Sequence, residues 1–101
     1  MSDFISVARV DDVPAGEGRV VDANGVSVAL FNIEGEFRAL DNTCIHRGGP
    51  LGDGICHATT VTCPWHGWQF DIATGECASS PGERVDTYEV RVAGDDVRVK
   101  V

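Results

Sequence analysis

No run of eighteen or more apolar residues occurs in this 101-residue chain, so no stretch of it is suited to cross a membrane as a helix. Its start, Met1-Ser2-Asp3-Phe4, has neither the basic region nor the apolar core of a secretion signal, and the expectation is a soluble, cytoplasmic protein. Basic residues are scarce: eight Lys and Arg stand against sixteen Asp and Glu, a formal charge of −8. That deficit argues against a nucleic-acid surface and against attraction to anionic lipid. It suits plain solubility, or steering towards a protein with a basic docking patch. A Gly-rich dinucleotide fingerprint is missing too, which removes the usual sequence sign of a nucleotide-dependent oxidoreductase.

Helical patterning is also wanting. Nowhere does an apolar period of 3.6 residues persist for three turns. Instead Val, Ile, Thr and aromatic residues fall in short runs broken by turn signals, and the chain reads as all-β. Strands are expected over residues 4–10, then 18–22 and 26–33 as a hairpin about Asn24-Gly25, then 37–40 after Glu34-Gly35-Glu36. Further on, 59–62 and 68–72 flank a loop, Thr74-Gly75 and Pro81-Gly82 mark turns, and 85–92 with 97–101 form a terminal hairpin. Strict alternation in Val97-Arg98-Val99-Lys100-Val101 requires one buried and one wet face. Eight to ten short strands in one domain, residues 1–101, favour a sandwich or partly closed barrel, arrangements that leave few exposed edges.

What the chain does hold is two clusters of donors. Cys44-Ile45-His46 is followed, after sixteen residues, by Cys63-Pro64-Trp65-His66. Each offers one thiolate and one imidazole from a single tight loop, with Gly48 and Gly49 after the first and Gly67 after the second to let the backbone curl closely. Four cysteines in a small chain could also mean two disulfides, but two of them sit beside histidines, and metal binding is the better reading. Structural zinc, a [2Fe-2S] cluster with mixed ligation and a mononuclear site of another soft metal all use such donors. Zinc fingers usually pair like with like, whereas here each loop gives one of each. Loops so composed can straddle a diiron core whose one iron takes both thiolates and whose other takes both imidazoles. Cys56 and Cys77 match no ligand position and are expected to be free, buried thiols; His57 is expected on a surface or strand and leaves no histidine pair for a separate iron site.

Cys-x-His, sixteen residues, Cys-x-x-His, with Cys63-Pro64-Trp65-His66-Gly67-Trp68 as the second run, resembles the Rieske [2Fe-2S] family. The likeness extends to Arg47-Gly48-Gly49-Pro50-Leu51, Asp53-Gly54, Phe70-Asp71, Thr74-Gly75 and the C-terminal hairpin, and together these look like the small Rieske ferredoxins of bacterial aromatic-ring oxygenase systems. The resemblance implies one [2Fe-2S] cluster with Cys44 and Cys63 on the inner iron and His46 and His66 on the outer iron near solvent, covered by a third loop, Ser79-Ser80-Pro81-Gly82. It implies a non-catalytic single-electron carrier between a flavin- and NAD(P)H-dependent reductase and a terminal oxygenase of aromatic hydrocarbon catabolism. The alternatives are a Rieske-like small subunit of an enzyme such as nitrite reductase, or a structural zinc-binding module. High-potential Rieske proteins place a disulfide where this chain resembles them with Gly49 and Trp65, and hydroxyl donors where it has Trp68 and Phe70. Hydrogen bonds to sulfur stabilise the added electron, so their loss implies a potential near the bottom of the Rieske range, on the order of −150 mV.

Overall fold

The first strand, β1 (Phe4–Arg9), stops one residue short of the expected end because Asp12 turns the chain. Its carboxylate accepts the Arg9 N–H at 2.9 Å and closes a 3-10 turn over Val10–Asp12. The computed structural model describes residues 4–44, 48–65, 67–80 and 82–101. β2 (Gly18–Ala23) and β3 (Val26–Ile33) follow, then β4 (Glu36–Asp41). Both connections are two-residue hairpins: Asn24 and Gly25 stand at φ 53° and 91°, Glu34 and Gly35 at 54° and 91°. Positive φ at both turn positions matches the twist of the flanking strands. Asn-Gly announces this in the sequence; Glu-Gly does so only through its glycine.

Three very short strands, β5 (Ile55–His57), β6 (Thr60–Thr62) and β7 (Gln69–Asp71), make an antiparallel sheet in that order. β5 has no counterpart among the expected strands, and β6 and β7 are shorter than expected at one or both ends. β8 (Thr87–Ala93) and β9 (Asp96–Lys100) form the terminal hairpin. β8 begins two residues later than expected, because Val85 is still tied to the preceding turn by its N–H to the Gly75 carbonyl at 2.9 Å. The larger sheet has six antiparallel strands ordered β1-β9-β8-β4-β3-β2. Its outer strands β1 and β2 come back beside each other without pairing, so the sheet is a nearly closed barrel. All-β architecture, as the patterning predicts, is what the chain adopts.

β3 is the wall between two cores. Residues 28–32 are all buried, and successive side chains of a strand point to opposite faces. Val28 and Leu30 pack with Val13, Val97 and Val99 inside the barrel. Ala29 and Phe31 pack the other way, with Leu40, Leu51, Val61, Phe70 and Ile72, and Cys44, Cys63 and Cys77 belong to this second core. Burying a large apolar side chain stabilises by about 1.5–3 kcal/mol. The ion pairs found among the described residues, such as Arg9 with Asp95 and Arg38 with Glu36, lie at the surface, where each contributes about 0–1 kcal/mol. The two cores therefore hold the fold.

Buried Asn42 ties the barrel to the 3-10 turn over Leu51–Asp53 that leads into β5. Its N–H donates to the Ser27 carbonyl at 3.1 Å, its carbonyl accepts the Leu51 N–H at 2.8 Å, and its side-chain oxygen accepts the Gly52 N–H at 2.8 Å. An Asn42→Ala substitution strands the Gly52 donor out of water. Urea unfolding is expected to show a loss of about 1–3 kcal/mol, the cost of one buried unsatisfied amide.

Candidate metal centre

Each donor loop is closed by its own backbone. In the first, the Cys44 N–H donates to the Gly49 carbonyl at 2.9 Å and the Gly48 N–H returns to the Cys44 carbonyl at 2.8 Å, with Gly48 at φ 73°. In the second, the Cys63 N–H donates to the Trp68 carbonyl at 2.7 Å, and Gly67 also stands at φ 73°. Only glycine takes that left-handed conformation without cost, which is why a glycine sits in each short loop. β4 delivers the chain to the first loop through Asn42 and Thr43; β6 ends at Thr62, and Cys63 is the next residue. The small sheet thus fixes the second loop, and the end of β4, paired on both sides in the larger sheet, fixes the first.

The loops bring Cys44 and Cys63 together. Both are 1% exposed, both are free thiols, and the Cys44 thiol shares a hydrogen bond with the Cys63 side chain. Burial pushes the Cys63 thiol above its ordinary range; the Trp65 backbone N–H, which donates to the sulfur, works against that, and the neighbouring Cys44 adds to the rise. Two desolvated sulfurs in contact, left unbridged and served by an amide donor, suit thiolates whose charge is met by a metal. On that geometry the residues present fit the sulfur half of an iron-sulfur or zinc site. His46 and His66, the nitrogen half of the donor set that spacing singles out, lie outside the described residues, as do Ile45 and Arg47.

Gly49 shows how tightly the sulfurs are held. A Cβ built on it would stand 2.7 Å from Cys63 Sγ and 3.0 and 3.1 Å from Cγ and Cβ of Trp65. No side chain fits there. The third loop is tied to the strand that leaves the second: the Ala78 N–H donates to the carbonyl of Gln69, the first residue of β7, at 2.8 Å and the Gln69 N–H to Ser79 Oγ at 3.1 Å. Pro81, a member of that expected loop, lies outside the described residues.

The remaining cysteines stand apart from this pair. Cys77 is buried in the same core, its N–H bonded to the Glu83 carbonyl at 2.8 Å, and it is free. Cys56 is free as well but only half-buried, a correction to the expectation of a buried thiol: it sits on β5, an edge strand with one hydrogen-bonded neighbour. Burial and the Glu17 carboxylate raise its thiol above the ordinary range. His57 is exposed on the same strand. Phe70 fills the second core and Trp68 packs against it, so the positions read as lacking hydroxyl donors carry packing side chains. No helix among the described residues is long and apolar enough to cross a membrane.

Comparison with known proteins bears directly on these loops. Residues 3–89 match the family described as Rieske [2Fe-2S] domain. The ferredoxin component of the naphthalene 1,2-dioxygenase/salicylate 5-hydroxylase systems of a Ralstonia species is 34% identical over 99 residues, covering 97% of this chain and 95% of that protein. Among solved structures, a chain from the complex of reduced oxygenase and oxidized ferredoxin in carbazole 1,9a-dioxygenase superposes with a TM-score of 0.87 at 30% identity, covering 96% of this chain and 92% of that one. A putative NADH-dependent nitrite reductase small subunit from Mycobacterium tuberculosis superposes at 0.91 but is 24% identical, covering 100% and 96%, and shares the fold.

The crowding at Gly49 yields a direct test. Gly49→Ala forces its methyl against Cys63 Sγ, and overpacking of this kind costs about 1–3 kcal/mol. The purified variant is expected to carry less than roughly half the iron and acid-labile sulfide of the unaltered chain, at unchanged far-ultraviolet circular dichroism.

Proposed function

The chain belongs to the Rieske [2Fe-2S] domain family, and from that premise we propose that it is a non-catalytic electron carrier, a ferredoxin that serves a terminal oxygenase acting on an aromatic substrate. The observation that carries this reading is the pair of buried, touching thiols, Cys44 and Cys63, on two loops that each bear a histidine two or three residues further on. In this proposal residues 1–101 form one Rieske domain in which Cys44 and Cys63 hold the inner iron and His46 and His66 the outer one. Such a cluster, when bound, supplies reversible one-electron storage.

The chain's own contributions follow from the site. The Cys44 and Cys63 loops, each closed by backbone hydrogen bonds, hold the sulfurs in one geometry. The Trp65 N–H donates to the Cys63 sulfur and favours its anionic form. Phe70 and Trp68 add bulk beneath the loops, and no hydroxyl from these positions reaches sulfur, which supports a low-potential carrier. Partners are expected to be a flavin-dependent reductase on one side and the oxygenase on the other, in the cytoplasm. That a relative of this chain is a ferredoxin component of a dioxygenase system, and that a structural neighbour comes from an oxygenase–ferredoxin complex, supports that order of transfer. A net charge of −8 supports electrostatic steering towards basic docking patches.

Metal analysis and ligand replacement test the proposal. Protein purified without air or chelator is expected to be brown and to carry about two iron and two sulfide per chain, bleaching on dithionite. His46→Ala and His66→Ala are each expected to lose most of that colour, and Cys56→Ala to keep the spectrum unchanged. Colourless, zinc-loaded protein would favour a structural module instead, and co-purification as a stable complex with a large enzyme would favour the subunit reading. Reduction by a flavin-dependent reductase is expected to slow steeply as salt rises above about 0.1 M.

A further inference from the structure

Each donor loop closes on itself, which leaves open what holds one to the other. Backbone bonds join Cys44 to Gly48 and Gly49, and Cys63 to Trp68, within each loop. Across the gap, beside the thiol contact of Cys44 with Cys63, Trp65 of the second loop sets its Cγ and Cβ 3.0 and 3.1 Å from the place a Gly49 side chain would start in the first. The Cys63 sulfur crowds the same place at 2.7 Å, so the sulfur and the Trp65 side chain together fill the space a Gly49 side chain would take. An aromatic side chain brings large contact area at low entropic cost, and its packing on a backbone with no Cβ allows close approach. Trp65 is nevertheless 50% exposed, unusual for so large an apolar group, and it is one of only two residues between Cys63 and His66.

We propose that Trp65 is a positioning residue, the clasp that holds the two donor loops in register and limits the access of water to the Cys63 sulfur. This rests on the reading of the site as a [2Fe-2S] centre. Two consequences separate a clasp from a mere surface aromatic. Loosening the loops frees the thiolates to part, so iron escapes faster from the oxidised protein. Admitting water beside the sulfur stabilises the extra negative charge of the reduced state, so the potential rises. A tryptophan that served only to touch a partner would change neither quantity in the isolated protein.

The experiment compares Trp65→Ala and Trp65→Phe with the unaltered protein, all loaded with cluster and kept oxidised. Iron lost from each is read at intervals in protein-free filtrate, where ascorbate reduces the released ferric iron before a ferrous chelator is added; midpoint potential and urea unfolding are measured alongside. Trp65→Ala is expected to lose iron about tenfold faster, the factor that corresponds to about 1.4 kcal/mol, and to shift its midpoint upward. Trp65→Phe, which keeps a ring over Gly49, is expected to restore both, and the unfolding midpoint of the barrel is expected to be the same in all three. Should Trp65→Ala hold too little cluster to measure, Trp65→Leu takes its place with the same expectations. Equal iron release and equal potentials in all variants would overturn the proposal, as would a Phe variant that behaves like Ala. Absence of iron and sulfide from the unaltered protein would instead remove the cluster reading itself.

Discussion

Two sulfur atoms held in contact and out of water, those of Cys44 and Cys63, set the demand that the surrounding structure meets. Left to themselves, desolvated thiols resist ionisation, and burial accordingly holds the Cys63 thiol above its ordinary range. The chain accepts it at the ends of two loops whose backbones are pinned before and after the cysteines. Asn42 ties the entrance of the first loop to β3 and to the turn over Leu51–Asp53, and the three short strands β5, β6 and β7 exist largely to present the second. Glycine at 48, 49 and 67 is the local signature of that demand: two for left-handed backbone, one for want of room beside a sulfur.

Architecture and chemistry divide the molecule along β3. One face of that strand belongs to a barrel core whose buried members are Val, Leu and Ala, with Tyr88 packed against them, and the other to the core that also houses three of the four cysteines. A rigid barrel on one side and a compact small sheet on the other leave the donor loops little freedom to rearrange. A carrier that gains and loses one electron benefits from such a cage, since little reorganisation of the protein accompanies the change in charge. Membership of the Rieske family and likeness to ferredoxin components of dioxygenase systems place this economy in a recognisable setting.

Much of this was legible in the residues, and the illegible parts share a cause. Asn24-Gly25 announces its hairpin, and the alternation Val97, Arg98, Val99, Lys100 is realised as buried and exposed faces of β9. The paired Cys/His spacing singles out two thiols that the fold does bring together, although nothing in spacing alone states that they touch. β5 escaped because three residues cannot show a period, and because its turn into β6 uses Ala58 at φ 54°, a conformation that alanine does not advertise. The shortfall of β1 follows from a single Asp12 carboxylate on a backbone amide, and the late start of β8 from one bond to Gly75. The contact of Trp65 with Gly49 joins residues sixteen apart and depends on the absence of a side chain, which composition and periodicity do not register.

A diiron core gripped by sulfur on the inside and nitrogen on the outside is the central claim, and electron paramagnetic resonance of the dithionite-reduced protein tests it most directly. Nitrogen ligation of one iron lowers the average g value relative to an all-sulfur diiron centre. The account predicts a signal from a single reduced binuclear centre with that lowered average, lost when His46 or His66 is replaced. A spectrum with the average of an all-cysteine cluster, or no signal from protein that contains metal, would contradict it.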